Sequence, residues 1–222
     1  MAFPEPSTSF PTLHAADDRP LVEQAVERST SRHVAARAAE ADALMEAGMA
    51  VMVRNGTSRR ATVAEIVKES GLSNQAFYRH FESKDDLVAA IIDAGARRLT
   101  SYLEHRMATV DDPLDQVRAW ITGVLAQATD PAVAAPTRAV AWNRGSIAVE
   151  ADGAARQADG RSFQLLVPPL TALGRPDPTR DAYLIGTLAY RVLAEALWAE
   201  PVPTPADLAF VQDFCLAALG AK

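Results

Sequence analysis

Between residues 62 and 84 lie side chains whose chemistry suits a nucleic acid, spaced as on short helices. Asn74 and Gln75 carry amides that can pair doubly with adenine, and Ala76 is small enough to lie against a thymine methyl. Tyr78, His80 and Lys84 can donate to phosphate oxygens. Thr62 and Ser73 stand where N-caps are expected, and a capped helix N-terminus turns N–H groups toward phosphate. Each residue also has a plainer reading: His80 as a polar group packed at a helix end, Tyr78 as a partly buried ring, Lys84 as a solvated cation near a cap.

The elements that must position these groups follow from the apolar spacing. Val34, Ala38, Ala41, Leu44, Gly48, Val51 and Met52 form one face of a helix over about 31–54, which Asn55-Gly56 closes. Thr62 with Glu65 spells a capping box for a second helix ending at Ser70-Gly71-Leu72. Ser73 caps a third over 74–80, and Ser83 with Asp86 opens a fourth. Two short helices joined by a glycine-containing turn describe a helix-turn-helix, with Val63, Ile66, Val67, Leu72, Phe77 and Phe81 as its interior. On this reading Asn74, Gln75, Ala76, Tyr78, Arg79 and His80 are the exposed positions of the second of these helices.

The stretch GTSRRATVAEIVKESGLSNQAFYRHFESKDDLVAAI resembles the DNA-binding segment of the TetR family. The matching positions are Gly56, Thr62, Ile66, Gly71, Ser73, Tyr78, His80, Phe81, Lys84 and Leu87, with YRHF followed by Ser83-Lys84 the most specific part. The resemblance covers roughly residues 34–95 and departs from the family at Val67, where alanine is favoured, and at Gln75, where glycine is common. It implies a homodimer with one recognition helix, Ser73–His80, per subunit. It implies phosphate contacts from Thr62, Tyr78, His80 and Lys84, and base contacts from Asn74, Gln75 and Ala76. It also implies a C-terminal domain whose small-molecule ligand releases the DNA. Arg28, Arg32 and His33, read as preceding the first helix, could add phosphate or minor-groove contacts.

The second half is punctuated by acid-proline pairs. Asp112-Pro113, Asp130-Pro131 and Asp177-Pro178 each place an N-cap before a proline at the first helical position, and Thr204-Pro205 with Asp207 does likewise. Helices are predicted near 113–129, 131–149, 154–173, 178–199 and 205–219, with Pro168-Pro169 interrupting the third. Trp120, Trp142, Phe163 and Tyr183 are the candidate ligand-contacting residues, because ligand sites in helical domains are mostly apolar. Each is also readable as core or interface, as are Tyr190 and Trp198. Arg138, Asn143 and Arg144 could orient a polar ligand. Cys215 lies on an apolar stripe and reads as packing. The 178–199 helix is apolar around most of its circumference, so it should be covered on two sides. With the 205–219 helix it would form a four-helix bundle with a second copy, presenting two recognition helices to a pseudo-palindromic operator.

Composition sets the outer bounds. With 222 residues, 49% hydrophobic and 23% charged, the chain suits a globular protein of one or two domains. The net charge of −6 hides an asymmetry: residues 28–84 hold nine Lys/Arg against six Asp/Glu, while the remainder is acidic. No apolar run is long enough to span a bilayer, and the N-terminus lacks the pattern of a signal peptide, so a cytoplasmic location is expected with no membrane partner. One cysteine excludes an internal disulfide framework. No phosphate loop, metal-spaced histidine pair or nucleophile elbow is present, so no enzyme activity and no cofactor are expected.

The expectation is therefore an all-α protein: a flexible tail over 1–28, a three-helix DNA-binding domain over 29–84, and a helical ligand-binding and dimerisation domain over 85–222. It would act as a ligand-responsive regulator, by preference a repressor, on double-stranded DNA. The alternatives are a relative of the same fold that no longer reads DNA and binds small molecules or proteins, and a helical enzyme with an unfamiliar site.

Overall fold

A computed structural model describes residues 20–144 and 160–220, and among these every regular element is helical. They are α1 (Leu21–Asn55), α2 (Val63–Ser70), α3 (Asn74–His80), α4 (Lys84–Met107), α5 (Pro113–Thr129), α6 (Pro131–Arg144), α7 (Val167–Ala172), α8 (Pro178–Ala196) and α9 (Ala209–Ala218). Residues 160–164 are also helical and turn into α7. Contacts divide the chain into one unit ending at Ala39 and a second from Glu40 onward.

In the first unit α1 begins at Leu21, well before the predicted start. Of the tail expected over 1–28, residues 1–19 lie outside the described residues and Leu21 to Arg28 are helical. Arg28, Arg32 and His33 therefore lie within a helix rather than ahead of it. Arg32 Nε donates to the Arg28 carbonyl at 3.2 Å, and His33 Nδ1 meets the Ser29 carbonyl at 2.8 Å. Leu21, Val22, Val26 and Val34 are exposed, so the apolar face predicted to start at Val34 is not buried there.

The second unit holds two apolar clusters. The first gathers Leu44, Val51 and Met52 of α1, Ile66 of α2, Phe77 of α3, Phe81, Leu87, Val88 and Ile91 around the helix-turn-helix, and it includes Ala139 of α6. Val63, Val67 and Leu72 pack against it half-buried. The second cluster is centred on α5, which packs against α4, α6, α7, α8 and α9 and supplies Val117, Trp120, Ile121 and Val124. Burying a side chain of this size contributes about 1.5–3 kcal/mol, so cluster membership outweighs any single surface ion pair. α4 feeds both clusters, with Leu87, Val88 and Ile91 in one and Leu103 and Met107 in the other.

The caps explain the boundaries. Asp112 accepts from the Leu114 and Asp115 amides, Asp130 from Ala132 and Asp177 from Arg180, so all three acid-proline starts work as read. The Thr204–Asp207 box also forms, yet only turns follow it, and α9 starts at Ala209 rather than 205. The predicted 154–173 helix is interrupted, with helical stretches at 160–164 and Val167–Ala172. Pro168 and Pro169 fall in the first turn of the second stretch, where a missing N–H costs little. Residues 145–149 and 154–159 of the predicted helices lie outside the described residues. α8 buries Ala182, Ile185, Gly186, Ala189, Leu193 and Ala196 and leaves Tyr183 and Leu184 in the open.

Candidate nucleic-acid interface

Seven residues of helix cannot stand alone, so α3 depends on its caps and on the cluster beneath it. Gly71, at φ 68°, closes α2 in the left-handed region that glycine adopts without strain, and the chain turns directly into α3. Ser73 Oγ accepts the Ala76 amide at 3.1 Å and fixes the first turn. Phe77 is fully buried and packs edge-on against Tyr78 and obliquely against Phe81. The inward side of α3 runs through 76, 77 and 80, while residues 74, 75, 78 and 79 face outward.

That phase corrects two readings. Ala76 is only 5% exposed, so it belongs to the interior and cannot lie against a thymine methyl. His80 is mostly buried as well: its Nε2 donates to Glu40 Oε2 at 2.8 Å, and Arg79 reaches the same oxygen at 2.7 Å. The hydrogen bond from His80 holds Glu40 below the usual carboxylate range; burial opposes this, and Arg79 adds to it. Glu40 thus ties α1 to the end of the candidate recognition helix. Sequence reasoning missed it, because no local pattern links residues forty apart.

Asn74, Gln75 and Tyr78 are exposed on one face of α3, with Arg79 beside them. Thr62 forms a complete capping box with Glu65: its Oγ1 accepts the Glu65 amide at 3.3 Å, while its own N–H and hydroxyl donate to Glu65 Oε2 at 3.1 and 2.9 Å. Arg59 meets the same carboxylate at 2.5 Å. Hydrogen bonds from Arg59 and then Thr62 pull Glu65 down to about 2. At the start of α4, Ser83 Oγ accepts the Asp86 amide, but the Asp86 carboxylate accepts from the Glu82 N–H rather than from that of Ser83. Lys84 is partly buried, with Nζ 3.0 Å from Asp85 Oδ1.

The ligand candidates do not all converge. Trp120 is fully buried, and its Nε1 donates to the Ser162 carbonyl at 3.0 Å. Phe163 packs against Trp120, Tyr190 and Tyr183, with centroids 6.1, 5.4 and 6.3 Å apart. Tyr183 forms the exposed edge of this group at 62% exposure. Trp142 lies elsewhere, against Trp198 at 6.1 Å. Arg138 donates to the Leu197 carbonyl at 2.6 Å, and Asn143 is fully enclosed, so neither stands ready to orient a ligand. Cys215 is buried, and burial raises its thiol pKa. Among the described residues no group of three His, Cys, Asp or Glu is arranged for a metal ion, and no helix is long and apolar enough to cross a membrane.

Residues 44–91 match the family model described as bacterial regulatory proteins, tetR family. No curated protein matches the chain in sequence. Among solved structures, the fatty acid degradation regulator FadR from Bacillus halodurans is similar at a TM-score of 0.64 and 16% identity, over 82% of this chain and 97% of its own. A TetR-family transcriptional regulator from Agrobacterium tumefaciens is similar at 0.56 and 18%, over 82% and 98%. SmeT, the repressor of the Stenotrophomonas maltophilia multidrug efflux pump SmeDEF, is similar at 0.56 and 21%, over 80% and 89%. At these identities the structural likeness speaks for the fold.

Proposed function

We propose that this chain, which belongs to the tetR family of bacterial regulatory proteins through residues 44–91, is a ligand-responsive repressor that reads a pseudo-palindromic operator as a homodimer in the cytoplasm. The observation that carries this reading is the outward face of α3. Asn74, Gln75 and Tyr78 stand together in the open on a helix held by a Ser73 cap, the Phe77 anchor and the Glu40 tie. Asn74 and Gln75 then meet base edges while Tyr78 and Lys84 hold phosphates, with Thr62 at the α2 N-terminus. His80 serves from the inner side, steadying α3 through Glu40. Lys84 must release Asp85 or share its ammonium to reach a phosphate.

Dimerisation would cover the exposed apolar groups of α8 and α9, namely Tyr183, Leu184, Phe210 and Phe214. A surface helix without a partner rarely leaves several large apolar side chains in water. The aromatic group of Trp120, Phe163, Tyr183 and Tyr190, between α5, residues 160–164 and α8, is the favoured place for an apolar small-molecule ligand. Such a ligand would release DNA by favouring a spacing of the two recognition helices that no longer fits successive major grooves.

The test is binding of the purified protein to DNA flanking its own gene across a salt series. Preference over unrelated DNA, weakening with salt, and loss of binding in Tyr78→Ala/Lys84→Ala are expected, with the salt slope falling by about one for each phosphate contact removed. If neither flanking DNA nor any duplex selected from the genome is preferred over random DNA, the DNA-reading function is wrong.

A further inference from the structure

Asn143, near the end of α6, is fully buried, and both halves of its amide are committed. Its Oδ1 accepts the N–H of Ala61 at 3.0 Å, and its Nδ2 donates to the Ala139 carbonyl one turn back at 2.9 Å. The orientation is unique: turning the amide over would set its NH₂ against an N–H and its oxygen against a carbonyl. Ala61 is itself buried and immediately precedes Thr62, the N-cap of α2. Ala139 belongs to the apolar cluster under the helix-turn-helix, and Val140 packs on it. The neighbouring residue, Arg138, is instead bonded to the carbonyl of Leu197, a member of the C-terminal cluster.

We propose that Asn143 is a positioning residue for DNA reading: a buried polar lock that fixes the start of α2, and through it α3, to the end of α6. This rests on the DNA-reading function proposed above. A hydrogen bond with buried partners has no water to replace it, so a shift of α6 that breaks the lock leaves the Ala61 N–H orphaned. The lock therefore favours one register of α6 against α2 over a continuum of positions. Asn143 itself touches neither base nor phosphate.

The wild-type protein gives the first reading, through amide hydrogen exchange at Ala61. Exchange at least roughly ten-fold slower than at the exposed Arg59 is expected, because opening must break a buried bond. Exchange as fast as at Arg59 overturns the lock, whether or not DNA is read. The second reading compares Asn143→Ala and Asn143→Leu for binding to the tightest duplex selected from a randomised library and to random-sequence DNA, with both corrected for the folded fraction. A loss of roughly ten-fold on the selected duplex, with random-DNA binding unchanged, is expected for a partner removed from a buried hydrogen bond. A purely structural role would, after that correction, leave both kinds of binding unchanged or lower them in parallel, and either result overturns the proposal. Should neither variant fold, wild-type exchange decides: slower Ala61 exchange on the selected duplex but not on random DNA supports positioning, and equal exchange on both refutes it. Failure to select any duplex refutes the DNA-reading function instead and leaves the Ala61 measurement standing as a test of the bond.

Discussion

Two glycines in long helices invite the same substitution with opposite results. Gly186 lies on the buried face of α8, and a Cβ placed there would stand 2.5 Å from Cε1 and 2.6 Å from Cγ of Phe163, and nearer still to Cδ1. Phe163 has little room to retreat, since Trp120, Tyr183 and Tyr190 surround its ring. Gly95, in α4, is exposed and would meet nothing within 4 Å. Replacing a mid-helix glycine by alanine gains about 1 kcal/mol in backbone propensity at either site. At Gly186 the overpacking cost of about 1–3 kcal/mol falls at its upper end, because three ring atoms are struck at once. The net expectation for Gly186→Ala is a loss of about 2 kcal/mol, a melting temperature lower by roughly 4–8 °C for a chain of this size. Gly95→Ala should instead gain about 0.5–1 kcal/mol, a rise of roughly 1–4 °C. Thermal unfolding followed by circular dichroism on the two variants and the parent reads both numbers. A Gly186→Ala protein as stable as the parent would refute the packing of Phe163 on α8, and with it the placement of that ring in the candidate ligand group.

Gln75→Ala should leave the melting temperature unchanged and alter the preferred base at one position per half-site of the selected duplex. Ala76→Leu should cost about 1–3 kcal/mol by overpacking, as calorimetry would show. Leu184→Glu with Phe214→Asp should move the sedimentation coefficient to that of a monomer without loss of helicity; persistence of a dimer would place the interface elsewhere. Because Glu65 is held at about 2, below its ordinary 4.5, the α2 cap contributes stability above about 4.5 that is lost as pH falls toward 2. Amide protection in α2 should therefore decline over that window, and Glu65→Gln should abolish this dependence.

What the sequence revealed was local. Thr62, Ser73, Asp112, Asp130 and Asp177 bond within three residues of themselves, so their capping could be read from spacing alone. The apolar interior of the helix-turn-helix was legible for the same reason, since Ile66, Phe77 and Phe81 recur at helical period. Ala76 and His80 were misplaced because Phe77 alone leaves the phase of so short a helix open, and a distant contact, His80 with Glu40, helps to fix it. The pairings of Glu40 with His80 and of Asn143 with Ala61 join residues 40 and 82 apart, and nothing in the intervening chain announces them. The early start of α1 was hidden because residues 21–39 bury no apolar stripe, and periodicity is visible only where one face meets a core. The candidate ligand group was half legible: aromatic type was plain, but only packing separates Trp142, beside Trp198, from Trp120 and Phe163.

The two clusters of the second unit are joined by α4, which is buried in both, and by α6, which holds Ala61 through Asn143 and Leu197 through Arg138. Trp120 and Phe163 sit in the C-terminal cluster and Phe77 in the other, so for the proposed ligand response these two helices are the packed route between them. α4 makes its link through buried apolar side chains, whose dispersion contacts weaken as soon as a gap opens. To the apolar contacts of Ala139 and Val140, α6 adds the buried hydrogen bond of Asn143 to Ala61 and the part-buried one of Arg138 to Leu197. A displacement of α6 that breaks these bonds would exchange one discrete arrangement for another. A two-state response of that kind needs a ligand with roughly 10⁴-fold preference for one state to carry the population from 1:99 to 99:1. On the proposed ligand response, weakening the polar links of α6 narrows the gap between the states, so Arg138→Ala or Asn143→Ala should lower the ligand concentration needed for release. The same change at an apolar α4 contact, such as Val88→Ala, should act mainly on stability.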